Sequence, residues 1–179
     1  MSEISFKGER VITYGDLPAI GEKAPHFDLI KTDLSKAKLE DFKGKRVILN
    51  IFPSIDTGVC ATSVRNFNER ATELDNTVVL CISRDLPFAQ KRFVNDEGLK
   101  NVINLSDFKE REFGKDYGVE MITGPLEGLL SRVVIVLDEN LNVSLPLSFI
   151  VLPRSTSLQQ SLTPSKWRII FTTKQAKTA

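Results

Sequence analysis

The strongest constraint on the fold is a strand–helix–strand pattern between residues 46 and 83. The run RVILNIF, Arg46 to Phe52, is almost wholly apolar, which is typical of a strand covered by helices on both faces of a sheet. The run NTVVLCIS, Asn76 to Ser83, has the same character. Between the two runs, apolar residues recur every three or four positions, as on one face of an amphipathic helix: Cys60, Val64, Phe67, Ala71 and Leu74. The pattern predicts two parallel strands joined by a right-handed helical crossover.

Weaker patterns on either side complete an α/β fold. The stretch SFKGERVITY, from Ser5, alternates around a central Lys-Gly and predicts an N-terminal β-hairpin. In LPFAQKRFVNDEG, Pro87 near the start and Gly98 at the end predict a short helix. Three further runs predict a strand at VINLS, a weak helix at KEREFGKDYG and a third strong strand in SRVVIVLDENLN, which starts at Ser131. Strands that alternate with helices predict a central sheet flanked by helices.

Length and charge exclude several classes of protein. The chain has 179 residues, enough for one domain with its own core. A formal net charge of +1 indicates neither a nucleic-acid partner nor a membrane surface. No run reaches the roughly 18 apolar residues of a membrane span, and the charged start MSEISFKGER does not have the pattern of a signal peptide. Two cysteines do not make a disulfide framework, so we expect a cytoplasmic protein.

The last 36 residues differ from the rest of the chain. From Ser144 to Ala179 there is no Asp or Glu, and all five charged residues are basic. The segment is rich in Ser and Thr, and its apolar runs have no helical spacing. We therefore divide the chain into a domain at residues 1–143 and a divergent basic tail at residues 144–179, which we expect to be poorly ordered. A reading-frame change in the source gene and simple divergence are both open explanations of the tail.

Cys60 begins the predicted crossover helix and is one of only two cysteines. Unpaired backbone N–H groups and the helix dipole favour an anion at a helix start, and a thiolate is such an anion. Thr57, three residues earlier, carries a hydroxyl that could hydrogen-bond the sulfur or an oxygen bound beside it. A buried structural thiol is the alternative interpretation. The single histidine, His26, lies in a predicted loop and gives no Cys–His pair at a fixed spacing and no metal cluster.

The residues around Cys60 resemble a known family. Pro53, Thr57 and Cys60 match the pattern Pro-x-x-x-Thr-x-x-Cys, the active-site signature of peroxiredoxins. The stretches LNIFPSIDTGVCATSVRNFN, NTVVLCIS, DLPFAQKRF, GPLEGL and SRVVIVLDEN occur in the family's order and spacing. Over about residues 5–143 the chain resembles the bacterial thiol peroxidases, the atypical two-cysteine peroxiredoxins.

The resemblance implies a thioredoxin-like fold, a homodimer, and reduction of hydrogen peroxide or organic hydroperoxides without a metal, haem or flavin cofactor. It also implies recycling by thioredoxin or another thiol reductant. Cys60 would be the peroxidatic residue that becomes a sulfenic acid, and Thr57 would orient the peroxide and the sulfur. Arg132 would stabilise the thiolate and the charge that develops on the leaving oxygen. Pro53 would shield the sulfur from water.

The sequence departs from the family at the resolving cysteine, which is Val94 here. A valine cannot form the intramolecular disulfide of the family. Cys81, the other cysteine, lies inside an apolar strand pattern and is predicted to be a buried core residue. We therefore expect an external thiol to resolve the sulfenic acid. A non-enzymatic peroxide sensor and a weakly active protein derived from the family are the alternative functions.

Overall fold

The structure is a computed structural model that describes residues 1–6 and 8–148. It contains a two-stranded hairpin and a seven-stranded sheet with three α-helices and one 3-10 helix among these residues. The elements in chain order are β1 (Glu3–Phe6), β2 (Glu9–Ile12), β3 (Asp28–Lys31), β4 (Lys36–Lys38), a 3-10 helix (Leu39–Phe42), β5 (Arg46–Ile51), α1 (Gly58–Ala71), β6 (Thr77–Ser83), α2 (Pro87–Glu97), β7 (Ile103–Ser106), α3 (Glu112–Asp116), β8 (Val133–Leu137) and β9 (Val143–Ser148).

The large sheet is mixed and has the order β4-β3-β7-β6-β5-β8-β9. The strands β5, β6 and β7 run parallel to one another, and β8 pairs with β5 in the antiparallel sense. The predicted strand–helix–strand unit is therefore β5, α1 and β6 at the centre of the sheet. The α/β fold with a central mixed sheet and an N-terminal β-hairpin, predicted from the sequence, is confirmed.

Apolar side chains fill both faces of the sheet, which explains the unbroken apolar runs in β5 and β6. One cluster of buried residues includes Leu49 and Leu80, and a second includes Ile48 and Val79. The predicted helical stripe packs into the second cluster, where Cys60 and Val64 are buried. Alternate residues of each central strand thus face opposite cores.

Two boundaries differ from those that the sequence indicates. The weak helix expected at KEREFGKDYG is only one turn, Glu112–Asp116. The strand β9 begins at Val143 and pairs with β8 as far as Ser148, so regular structure continues past the predicted domain boundary at residue 143. The predicted tail beyond residue 148 lies outside the described residues, and its division from the domain stays a prediction.

Within the described part of the chain, none of the helices combines the length and the apolar character that crossing a bilayer requires.

Candidate active site

Cys60 is the third residue of α1, in the first helical turn, as the sequence pattern predicts. Residues 52–57 carry the chain from the end of β5 to this turn. Thr57 occupies the N-cap position with an extended backbone, and its carbonyl oxygen accepts a hydrogen bond from the backbone N–H of Ala61 at 2.9 Å. Its hydroxyl donates to the carbonyl oxygen of Ser54 at 3.1 Å and not to the sulfur. The other partner that the sequence suggested, an oxygen bound beside the sulfur, stays a prediction. In this arrangement Thr57 stabilises the turn before the helix.

Asp85 holds the loop that precedes α1. It follows β6, and its carboxylate accepts hydrogen bonds from the backbone N–H of Ile55 at 2.7 Å and from the hydroxyl of Ser54 at 2.8 Å. A third bond comes from the hydroxyl of Ser83 at 2.7 Å. Hydrogen bonds to an ionised carboxylate are stronger than those between neutral groups, so Asp85 joins the end of β6 to the loop that carries the cysteine. Sequence reasoning did not identify this residue.

Arg132 reaches the Cys60 sulfur, with 3.2 Å between Arg132 Nη2 and Cys60 Sγ. Arg132 comes directly before β8, whose Val133 pairs with Ile51 at the end of β5. Because β8 is antiparallel to β5, the start of one strand lies beside the end of the other. The sheet therefore brings the arginine to the edge where α1 begins, within hydrogen-bond distance of the sulfur.

The sulfur is buried, and the arginine that contacts it lines an open groove. The side chain of Cys60 is 0% exposed, whereas Arg132 is half-buried. Arg132 and the buried Pro53 line a groove of about 490 Å³ beside the N-terminal hairpin. Its other walls include the apolar side chains of Met121 and Leu126. The groove therefore gives a small molecule access to the guanidinium that contacts the sulfur.

The second thiol, Cys81, is enclosed in the core. Its side chain is 0% exposed, and it accepts a hydrogen bond from the Nδ2 group of Asn50 at 3.6 Å. Burial raises the pKa of Cys81 to about 12, against a smaller opposing effect of the Asn50 hydrogen bond. The thiol stays protonated at neutral pH and is not a nucleophile there. Val94 is half-buried and packs against the same apolar cluster that contains Cys60 and Cys81.

The single histidine stands apart from this chemistry. His26 is exposed, and its Nδ1 lies 2.9 Å from a carboxylate oxygen of Glu40. Across residues 1–6 and 8–148, no three His, Cys, Asp or Glu side chains come together in a group that could hold a metal ion.

A thiol and an arginine that converge at the edge of such a sheet define the class of thiol-dependent oxidoreductases with a thioredoxin-like fold. The family model described as Redoxin matches residues 19–144. The chain is 51% identical over 140 residues to the thiol peroxidase of Corynebacterium glutamicum, an alignment that covers 78% of this chain and 84% of that protein. The chain therefore belongs to the Redoxin family, in which it is a peroxiredoxin of the thiol peroxidase group, an enzyme of the peroxidase class.

Solved structures agree with this assignment. A peroxiredoxin-like protein from Aquifex aeolicus is 34% identical and superposes with a TM-score of 0.77, over 82% of this chain and 85% of that one. The thiol peroxidase from Chromobacterium violaceum is 25% identical with a TM-score of 0.74, over 82% of this chain and 85% of that one. These matches confirm the family and the fold that the motifs around Cys60 indicated.

Proposed function

We propose that the protein reduces hydrogen peroxide and organic hydroperoxides through the thiolate of Cys60. The observation that carries the proposal is the 3.2 Å separation between Arg132 Nη2 and Cys60 Sγ. A guanidinium at this distance stabilises negative charge on the sulfur before the reaction and on the departing oxygen during it. The start of α1 adds to that field, since its free backbone N–H groups favour an anion.

In the first half-reaction the Cys60 thiolate attacks one oxygen of the peroxide. A sulfur–oxygen bond forms and the oxygen–oxygen bond breaks, and the distal oxygen leaves with the bonding electron pair. That oxygen takes up a proton and becomes water, or an alcohol when the substrate is an organic hydroperoxide. The sulfur is oxidised to a sulfenic acid and the peroxide is reduced by two electrons. Arg132 stabilises the leaving oxygen, and the Thr57 hydroxyl orients the peroxide after rotating away from Ser54.

The groove supports organic hydroperoxides as substrates beside hydrogen peroxide. Arg132 lies on its wall, so a peroxide group held there meets the guanidinium that faces the sulfur. Met121, Leu126 and Phe6 on the same wall offer apolar contact to a carbon chain. Pro53, also on the wall and buried, limits the access of bulk water to the sulfur.

An external thiol completes the proposed cycle. Val94 stands at the family's resolving position, and the thiol of Cys81 is enclosed and protonated. The reductant thiolate attacks the sulfenic sulfur, a disulfide bond forms and the sulfur–oxygen bond breaks. The departing hydroxide takes up a proton and becomes water. A second thiol of the reductant then releases Cys60 in its reduced form. A dithiol protein of the thioredoxin kind supplies both thiols, and we propose that the reaction takes place in the cytoplasm.

We also propose that the chain works as a homodimer. The parallel strands β5, β6 and β7 end at the same edge of the sheet, and exposed apolar side chains follow each of them. Val59, Phe88 and Phe108 are 51%, 64% and 47% exposed. Exposed apolar side chains that share one edge favour contact with another protein surface. The position of this edge next to Cys60 makes it a suitable face for a second copy of the chain.

A coupled assay tests the proposed function. Thioredoxin, thioredoxin reductase, NADPH and peroxide are combined with the protein, with Cys60→Ser and with Cys81→Ser. We expect steady NADPH consumption that Cys60→Ser abolishes and Cys81→Ser keeps. Peroxide-independent consumption, or full activity of Cys60→Ser, would contradict the proposal.

A peroxide sensor is the second candidate function, and the buried state of both cysteines favours it. With Cys60 0% exposed and no thiol at position 94, a sulfenic acid formed there is protected from resolution. In the same assay, one equivalent of peroxide consumed per chain, followed by no turnover with any thiol reductant, would favour the sensor over the enzyme.

A further inference from the structure

A buried arginine outside the described chemistry, Arg84, ties together four segments of the chain. Its side chain is 3% exposed. Its guanidinium lies 2.6 Å from a carboxylate oxygen of Asp107, which is 0% exposed, and 3.1 Å from a carboxylate oxygen of Glu120. It also donates to the backbone carbonyl oxygens of Gly128 and Arg111. Arginine suits this task because its planar guanidinium presents five donors in fixed directions.

Two of these partners belong to one closed loop, residues 119–131. The backbone N–H of Ser131 donates to the carbonyl oxygen of Val119 at 2.7 Å, which closes the base of the loop. Glu120 lies on the ascending arm and Gly128 on the descending arm. Arg84 bonds to both arms at once, through the side chain of one and the backbone of the other. The loop is therefore anchored from within the protein and not only by its own base.

The residue that follows this loop is Arg132. Its guanidinium lies within hydrogen-bond distance of the Cys60 sulfur. The direction in which the backbone enters Arg132 is set by the hydrogen bond between Ser131 and Val119 that closes the loop. Arg84 itself follows β6, whose end lies at the same edge of the sheet as the end of β5. The anchor and the anchored arginine are thus on the same side of the molecule, joined by the loop.

We propose that Arg84 is a positioning residue for the peroxidase reaction, because it fixes the loop that aims Arg132 at Cys60. The inference rests on the proposed function, in which Arg132 stabilises the thiolate and the leaving oxygen. Gly114 is consistent with the assignment, because a Cβ atom there would lie 2.7 Å from Leu130 Cδ2 and 2.8 Å from Arg84 Nη2. A glycine at this position of α3 thus leaves room for the guanidinium and for a side chain of the same loop. Loss of Arg84 frees the loop and leaves the Asp107 carboxylate buried without its cation.

A double-mutant cycle tests the proposal, since two residues that act through one interaction do not have additive effects. The measurement is the second-order rate constant for oxidation of Cys60 by hydrogen peroxide, obtained by competition with another peroxidase. The variants are Arg84→Met, Arg132→Met and the double variant, each checked for folding by circular dichroism. We expect Arg84→Met to lower the rate constant on the order of tenfold, since small displacements of reacting groups have effects of this size or larger. In the Arg132→Met background the same change should have no further effect.

A loss of the same factor in both backgrounds would overturn the proposal, because it would show that Arg84 acts independently of Arg132. Unchanged reactivity of Arg132→Met would instead overturn the proposed function, so the two failures are distinguishable. Glu120→Ala removes one arm of the anchor and keeps the Arg84–Asp107 pair, and it replaces Arg84→Met if that variant does not fold. We expect Glu120→Ala to lower the peroxide rate constant roughly three- to tenfold, again only when Arg132 is present. A rate constant equal to that of the parent protein in Glu120→Ala would also overturn the proposal.

The matched control is Arg46→Met. Arg46 is also an arginine that donates to a backbone carbonyl oxygen, that of Asp75, but it lies at the opposite end of β5. We expect its peroxide rate constant to equal that of the parent protein.

Discussion

Arg132 and Cys60 are 72 positions apart in the sequence, yet a guanidinium nitrogen of the first lies 3.2 Å from the sulfur of the second. Two local features produce this contact. The helix α1 begins just beyond β5 and places Cys60 in its first turn, and β8 begins beside the end of β5. The contact thus depends on the register of two antiparallel strands, which a single sequence does not specify.

The contact predicts a specific loss when the guanidinium is removed. Arg132→Met should lower the rate constant for hydrogen peroxide by about 10²–10³, the usual effect of losing one preorganised donor to a developing oxyanion. Arg132→Lys keeps the charge but not the fixed direction of the donors, so it should recover only part of the rate. Stopped-flow measurement of Cys60 oxidation checks both. Equal rate constants for the parent protein and Arg132→Met would show that the contact has no role in the reaction.

Asp85 predicts a coupled loss of activity and stability. Asp85→Asn removes the charge from a carboxylate that accepts hydrogen bonds from Ile55, Ser54 and Ser83. Hydrogen bonds to charged groups contribute about 1.5–3 kcal/mol each, so the free energy of unfolding should fall by about 2 kcal/mol or more. The loop before α1 should loosen, and the peroxide rate constant should fall with it. Urea unfolding and the same stopped-flow assay measure the two effects.

Asp33→Asn is the control for that experiment. Asp33 also accepts hydrogen bonds from a backbone N–H and a hydroxyl, both from Ser35, but in an exposed turn. Asp33→Asn should leave the peroxide rate constant almost unchanged. If Asp85→Asn behaves in the same way as Asp33→Asn, the loop does not depend on Asp85.

Sequence patterns predicted the elements whose burial is extensive and periodic. The strands β5 and β6 are buried on both faces, so their apolar runs are unmistakable, and the spacing from Cys60 to Ala71 marks the face of α1 that packs into the core. The edge strand β4, Lys36–Lys38, was not identified because only its central Ala37 is buried. Three residues with a single buried side chain are too few to show the alternation of apolar and polar residues that predicts a strand.

The candidate site was predicted only in part. The helix start and the motif at Cys60 indicated a reactive thiol, and the family resemblance supplied Arg132. Asp85 and Arg84 were not identified, since each acts through single contacts with residues far away in the sequence and leaves no periodic signal. The hydroxyl of Thr57 was expected at the sulfur or at an oxygen bound beside it. In the structure, the extended N-cap conformation directs it to Ser54.

The buried thiol of Cys81 predicts a particular dependence of stability on alkaline pH. Its pKa is about 12 in the folded protein, against 9.0 for an ordinary thiol. Between these values the unfolded chain has lost the proton and the folded chain keeps it, so the free energy of unfolding falls as the pH rises. For one proton the slope approaches about 1.4 kcal/mol per pH unit. Urea unfolding at pH 8 to 11 should therefore show a steeper decline for the parent protein than for Cys81→Ala. Parallel curves would show that Cys81 ionises in the folded state.

Val94 predicts how the catalytic cycle can be changed. In Val94→Cys a thiol stands at the family's resolving position, on a helix that packs against the cluster containing Cys60. Val94 is half-buried in α2, and we expect local opening of this helix to let the new thiol reach the sulfenic acid. After one equivalent of peroxide, we expect the parent protein to react with dimedone at Cys60. In Val94→Cys we expect a disulfide between Cys60 and the introduced thiol instead. A non-reducing peptide map distinguishes the two products.

Val94→Ala, which loosens the helix without adding a thiol, should behave like the parent protein. If Val94→Cys still gives only the dimedone adduct, α2 does not open in this protein. Its dependence on an external thiol then has a cause other than the missing resolving cysteine.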